Sequence, residues 1–166
     1  MRTPGGNCVV VLFDGGAGDC PAPLQDAHRV VRSSRPAGGI RAWLDSQGVE
    51  RAHVIGHAAG GSDALRFALT YPERTRSLIL SETGAGLRHA HATLLRLTVP
   101  VLVVAGGEGS ACPLPTARRL AAQFSNGRVA EIVEAGRSPY AETPQEWCEV
   151  VLQFLRSVTR PKTATP

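Results

Sequence analysis

Runs of eighteen or more apolar residues are absent from this 166-residue chain, which excludes a hydrophobic helix long enough to span a bilayer. Paired cysteines are absent too. Cys8, Cys20, Cys112 and Cys148 lie far apart with no CxxC among them, so neither a zinc site nor a dithiol motif is expected, and no metal or cofactor is assigned. Aromatic residues make up only 5% of the chain, and lysine is almost missing from a set of basic residues that is nearly all arginine. The net charge of +4 is therefore spread as scattered arginines without interleaved aromatics, a solvated surface and not a nucleic-acid footprint. No export signal is legible: the opening MRTPGGNCVVVLFDGG runs from one arginine into a strand and a glycine turn. A cytoplasmic protein with free thiols, not bound to membrane, is the expectation.

What is present is an alternation of short apolar runs and amphipathic segments. Val9 to Phe13 is a continuous apolar run closed by Asp14-Gly15-Gly16, as in a strand buried on both faces. Weaker or stronger strands follow at His28 to Arg32, Ala52 to Ile55, Ser77 to Leu80, Val99 to Ala105 and Arg128 to Val133. Helical periodicity marks Ile40 to Gln47, Ser62 to Tyr71, Thr116 to Phe124 and Pro144 to Val158. Six strands alternating with helices predict one α/β domain over residues 1–158, a doubly wound, mostly parallel sheet, with 159–166 as a flexible tail. The glycines of DGGAGD resemble a phosphate loop only weakly, since no GK[ST] and no helix is legible after them.

The segment RAHVIGHAAGGSDALRFALTYPERTRSLIL narrows the choice. A strand enters Gly56-His57-Ala58-Ala59-Gly60 and continues directly as a helix, which resembles the G-x-S-x-G nucleophile elbow of the α/β-hydrolases. DGGAGD is similar to that family's oxyanion loop, VPVLVVAGGEG to the strand that precedes its catalytic acid, and EAGRSPYAETPQEW to the loop that carries its histidine. The resemblance implies a truncated α/β-hydrolase core. The family's first two strands are expected to be missing, and only about twenty residues, SETGAGLRHAHATLLRLTVP, stand where it inserts a cap.

The same alignment by position implies that the triad is gone. The nucleophile falls on Ala58, the acid on Gly109, the histidine on Arg137 and the oxyanion-loop histidine on Asp14. Alanine and glycine offer no nucleophile or proton acceptor, and an arginine stays protonated and cannot serve as a base. Loss of a full triad costs on the order of 10⁶ in turnover. An oxyanion hole needs only backbone N–H groups, however, and the resemblance places these at Gly16 and Ala59.

Asp14, Gly15, Gly16, His57, Ala58 and Ala59 are thus the expected ligand-binding set, with Glu82 and Arg137 as an ion pair replacing the acid–histidine pair. His57 reads more readily as a packing residue below the turn, Asp14 also as a turn former and Glu82 also as a loop carboxylate. Ser62 reads as a first-turn helix residue, Ser138 as a hydroxyl without a base, and His89 and His91 as solvent-facing.

Two functions fit. One is a small-molecule site for a carbonyl- or enol-bearing ligand, with non-hydrolytic chemistry such as cyclisation, aldol closure, elimination or isomerisation, in the manner of specialised metabolism. The other is a non-catalytic pseudoenzyme that binds a ligand or a partner. A pocket without its cap would favour a homodimer that covers the rim.

Overall fold

A computed structural model describes residues 8–15, 19–33, 37–83, 91–107, 109–136 and 138–159, with Ala37 and His91 described in backbone only. Among the described residues six strands form one sheet: β1 (Val9–Phe13), β2 (Arg29–Arg32), β3 (Ala52–His57), β4 (Thr75–Ser81), β5 (Val101–Gly106) and β6 (Gly127–Ile132). Every pairing is parallel and the order is β2-β1-β3-β4-β5-β6. The chain steps outward from β1 to the edge strand β2, then crosses back to place β3 on the other side of β1. That reversal makes a topological switch point, where crevices open beyond the carboxyl ends of the strands.

The helices are α1 (Ala22–Ala27), α2 (Ala37–Ser46), α3 (Gly60–Thr70), α4 (His91–Leu95), α5 (Leu114–Ala121), α6 (Pro139–Glu142) and α7 (Pro144–Thr159). They divide between the two faces. Ile40, Leu44, Leu65, Phe67, Ala117 and Leu120 pack with Val11, Val54, Leu78 and Val103 on one side. Leu24, Tyr140, Trp147, Val151 and Leu155 pack with Val10, Ile55, Ile79 and Val104 on the other. Successive side chains of a strand point to opposite faces, so burying both faces makes β1 and β5 apolar almost throughout and β3 and β4 apolar over their middle residues, Val54–Ile55 and Leu78–Leu80. The edge strands β2 and β6 are only partly buried, and their sequences are correspondingly mixed.

The expected six-stranded α/β architecture is therefore what forms, with three local differences. A helix does follow the glycine loop: α1 begins at Ala22, with Pro21 at its N-cap and Pro23 in its first turn. It spans six residues and buries only Leu24, too little to show helical periodicity. The third strand runs on through Gly56 to His57, and α3 starts two residues ahead of Ser62, at Gly60. The expected tail lies outside the described residues beyond Thr159, as does 84–90 of the short segment between β4 and β5. Among the described residues no helix is long and apolar enough to cross a membrane.

Candidate active site: an alanine at the elbow

The carboxyl end of β3 turns sharply into α3 beside the switch point. Ala58, at the tip, has φ +47°, in the left-handed region that side chains with a Cβ rarely occupy. Its N–H donates to Ser81 O at 2.9 Å, and its carbonyl accepts from Gly61 N at 3.1 Å. The flanking glycines are there for space. A Cβ on Gly56 would sit 2.6 Å from the Ala64 methyl, and one on Gly60 would sit 2.1 Å from Phe13 O. Strand, turn and helix approach too closely for any larger residue.

Gly15, φ +59°, brings the loop after β1 against this turn. A Cβ there would meet Gly60 N at 2.8 Å, His57 O at 2.9 Å and Ala59 N at 3.0 Å. The Ala59 amide thus stands at the head of α3 beside the glycine loop, where the helix dipole favours negative charge. Gly16, the other expected donor, and Arg137 lie outside the described residues. Gly109, at the position expected for the acid, has φ +86°, and a Cβ would meet nothing within 4 Å.

The expected Glu82–Arg137 pair has its arginine outside the described residues, while Glu82 itself is described. Glu82 is not a solvated loop carboxylate: it is 9% exposed and adopts φ +54° just past β4. Its Oε2 lies 3.6 Å from His57 Nε2, too far for a hydrogen bond. His57, the last residue of β3, is 1% exposed and stacks on Tyr140 with ring centres 4.5 Å apart. Tyr140 in turn meets the Trp147 ring edge-on at 5.0 Å, and Trp147 Nε1 donates to Ser81 Oγ at 2.9 Å.

Within this cluster His57 Nδ1 and Glu82 Oε1 are buried without a hydrogen-bond partner. Burial pushes the His57 imidazole down to about 4, with a small opposing pull from Asp14. Burial raises the Glu82 carboxyl, against the Ser138 hydroxyl and the Tyr140 backbone, which lower it. Near neutral pH His57 is therefore an uncharged imidazole.

Asp14 is engaged by Arg32 of β2 through an ion pair, which ties the glycine loop to the sheet edge. Ser62 is the third residue of α3 and does not cap it; the residue at the helix start, Ala59, has no side-chain cap. Ser138 precedes α6, and its N–H donates to Glu142 Oε1 at 2.9 Å while Gly136 N donates to Oε2 at 3.0 Å. His89 and the side chain of His91 lie outside the described residues. Among the described residues no group of three or more His, Cys, Asp or Glu is placed to hold a metal ion.

Two residues of the site escaped the sequence reading. Thr83 Oγ1 lies 3.2 Å from Ala58 O and 3.0 Å from Ser81 O, and its side chain fills the space that Gly61 leaves. Glu142 accepts from the backbone N–H groups of Gly136 and Ser138. A threonine two places beyond a strand and a glutamate closing a four-residue helix carry no local pattern that marks them.

A tight strand–turn–helix elbow at the switch point of a parallel sheet, with a glycine loop closing on it, defines the α/β-hydrolase fold, and this chain has that fold. Solved structures agree. A predicted CIB-like hydrolase from Thermoplasma acidophilum superposes with a TM-score of 0.80 at 20% identity, covering 95% of this chain and 90% of that one. The enol-lactonase from Burkholderia xenovorans LB400 gives 0.76 at 16% identity, covering 93% and 94%.

In sequence, the chain is 41% identical over 71 residues to a 2-hydroxy-6-oxononadienedioate/2-hydroxy-6-oxononatrienedioate hydrolase from Paraburkholderia phymatum, 41% of this chain and 25% of that protein. It is 38% identical over 76 residues to a 2-hydroxy-6-oxo-6-phenylhexa-2,4-dienoate hydrolase from Burkholderia cepacia, 45% of this chain and 26% of that protein. The match thus spans about a quarter of the length of these curated relatives. No protein-family model matches the chain.

Proposed function

We propose that this chain binds a small carbonyl- or enol-bearing acid at the elbow and does not hydrolyse it through an acyl-enzyme. One observation carries the reading: the elbow is kept in its strained form, with both glycines sterically required, around an alanine that has no nucleophile. The ligand class is supported by the sequence relatives, whose names specify an enolic 2-hydroxydienoate bearing a 6-oxo group. The Ala59 N–H at the head of α3 would polarise such an oxygen from a fixed position, and backbone donors of this kind act without any triad. Bond changes open to the site are then non-hydrolytic, such as isomerisation or elimination at the activated carbon.

Thermal-shift titration with 2-hydroxy-6-oxo-6-phenylhexa-2,4-dienoate tests this directly. Saturation at 100 times Kd adds about 2.7 kcal/mol to stability. A fluorophosphonate probe should label neither Ser62 nor Ser138. A dose-independent melting temperature, or covalent labelling of either serine, would overturn the reading.

A second reading, a binding pseudoenzyme without turnover, is favoured by the burial of Glu82 and His57, whose side chains are only 7% and 2% exposed. Glu82→Gln separates the two. It abolishes turnover if the carboxyl moves a proton, and leaves ligand affinity unchanged if the site only binds.

A further inference from the structure

We propose that Arg32, at the end of β2, is a positioning residue for the elbow: by holding Asp14 it keeps Gly15 against the Ala59 amide, the donor that meets the ligand oxygen. The inference rests on the binding reading above and adds to it a residue that does not itself touch the ligand.

Strand register brings Arg32 within reach. It pairs with Leu12 of β1, two residues before Asp14, and Ser33 N continues the ladder to Leu12 O at 2.9 Å. Paired residues of neighbouring strands share a face, and faces alternate along a strand, so Arg32, Leu12 and Asp14 lie on one side. On that side Val10, Leu12 and Val30 pack with Tyr140 and Trp147. An arginine is long enough to cover the two-residue step along β1, roughly 7 Å.

The contact uses two nitrogens of one rigid plane. Arg32 Nε donates to Asp14 Oδ2 at 2.5 Å, and Nη2 is paired with the same oxygen. Two N–H groups fixed relative to each other restrict the carboxylate in direction as well as in distance. The Asp14 side chain is only 16% exposed, so the pair is partly shielded from water. The third nitrogen, Nη1, lies 3.6 Å from Asp19 Oδ1, a carboxylate fully in solvent, and that contact adds little.

What Asp14 passes on is the place of its neighbour. Gly15, at φ +59°, lies so near the turn that a methyl on it would meet Gly60 N at 2.8 Å, His57 O at 2.9 Å and Ala59 N at 3.0 Å. Glycine has the most backbone freedom of any residue, and an anchor one position away limits it. From the other side, Tyr140 Oη donates to Asp19 O at 3.0 Å while the Tyr140 ring lies on His57, so Asp19 is tied to the elbow as well. Arg32 is exposed and belongs to neither apolar cluster, so replacing it loosens Gly15 and leaves the core intact.

The test is nitrogen-15 relaxation of the full chain beside titration with 2-hydroxy-6-oxo-6-phenylhexa-2,4-dienoate, in wild type, Arg32→Gln and Asp14→Asn. Gly15 should show the order parameter of rigid backbone in wild type, about 0.85, and fall below about 0.6 in Arg32→Gln. The Ala59 amide signal should shift in the same variant, whereas an arginine that merely supported the fold would lower the melting temperature and leave that signal in place. Kd should rise about fivefold, the size expected of a partly exposed ion pair. Because the two residues act through one contact, the double variant should lose no more affinity than either single one. A rigid Gly15 in folded Arg32→Gln, or an unchanged Kd beside a mobile Gly15, sinks the proposal. If the wild type binds no dienoate, the binding reading fails on its own, and the Gly15 order parameter alone then decides whether Arg32 positions the elbow.

Discussion

At position 58 a methyl group sits on a backbone that glycine would occupy without cost. Left-handed φ costs an alanine about 1–2 kcal/mol, while glycine brings about 0.4–1 kcal/mol of extra unfolded-state entropy. The first effect is the larger, so Ala58→Gly should stabilise the chain by about 0.5–1 kcal/mol, read from urea unfolding with an unchanged slope. Two places away the sign reverses. A Cβ on Gly60 would have to fit 2.1 Å from Phe13 O, backbone that cannot swing aside, so Gly60→Ala should destabilise by about 3 kcal/mol. The contrast was legible only in part. The two glycines stand out in the sequence as an elbow, but nothing local to Glu82 announces its φ of +54° or its burial against His57.

Among the elements, α7 governs how the site is backed. Trp147 is fully buried on the face opposite α3, and its indole N–H reaches Ser81, the residue whose carbonyl holds the Ala58 amide. Trp147→Phe keeps much of the packing and loses one buried hydrogen bond, an expected cost of about 1 kcal/mol. Trp147→Ala also opens a cavity and should cost about 3–5 kcal/mol, both measured by denaturant unfolding. Strong periodicity made α7 visible in the sequence, since its buried Trp147, Cys148, Val151, Phe154 and Leu155 follow helical spacing. The short α1 was invisible for the opposite reason: with one buried residue it has no period to show.

For the whole molecule, burial of histidines makes stability depend on pH. His57 and His53 are held at about 4 and about 3, below the ordinary 6.5. Between those values and 6.5 the unfolded chain binds more protons than the folded one, so stability falls as the pH drops. Glu82 acts in the opposite sense. Its carboxyl is held above the ordinary 4.5, so its contribution declines as pH rises above that value. The two histidines should dominate below pH 6.5, with a loss on the order of several kcal/mol by pH 4. Urea unfolding at a series of pH values should show this slope, and His53→Gln or His57→Gln should flatten it.

The amino-acid sequence by itself determined the succession of strands and helices, the glycine-framed elbow and the residue that stands at its tip. These are written in short stretches, in apolar runs, periodicities and spacings that each span a few turns of chain. Tertiary structure alone decided that Glu82 faces His57, that Asp14 is engaged by Arg32, and that Cys8 meets His53 and Arg76. Those pairings join residues that are, except for Asp14 and Arg32, at least 25 positions apart. They depend on strand order and on which face each side chain takes, and both are settled only when the whole sheet closes over its two cores.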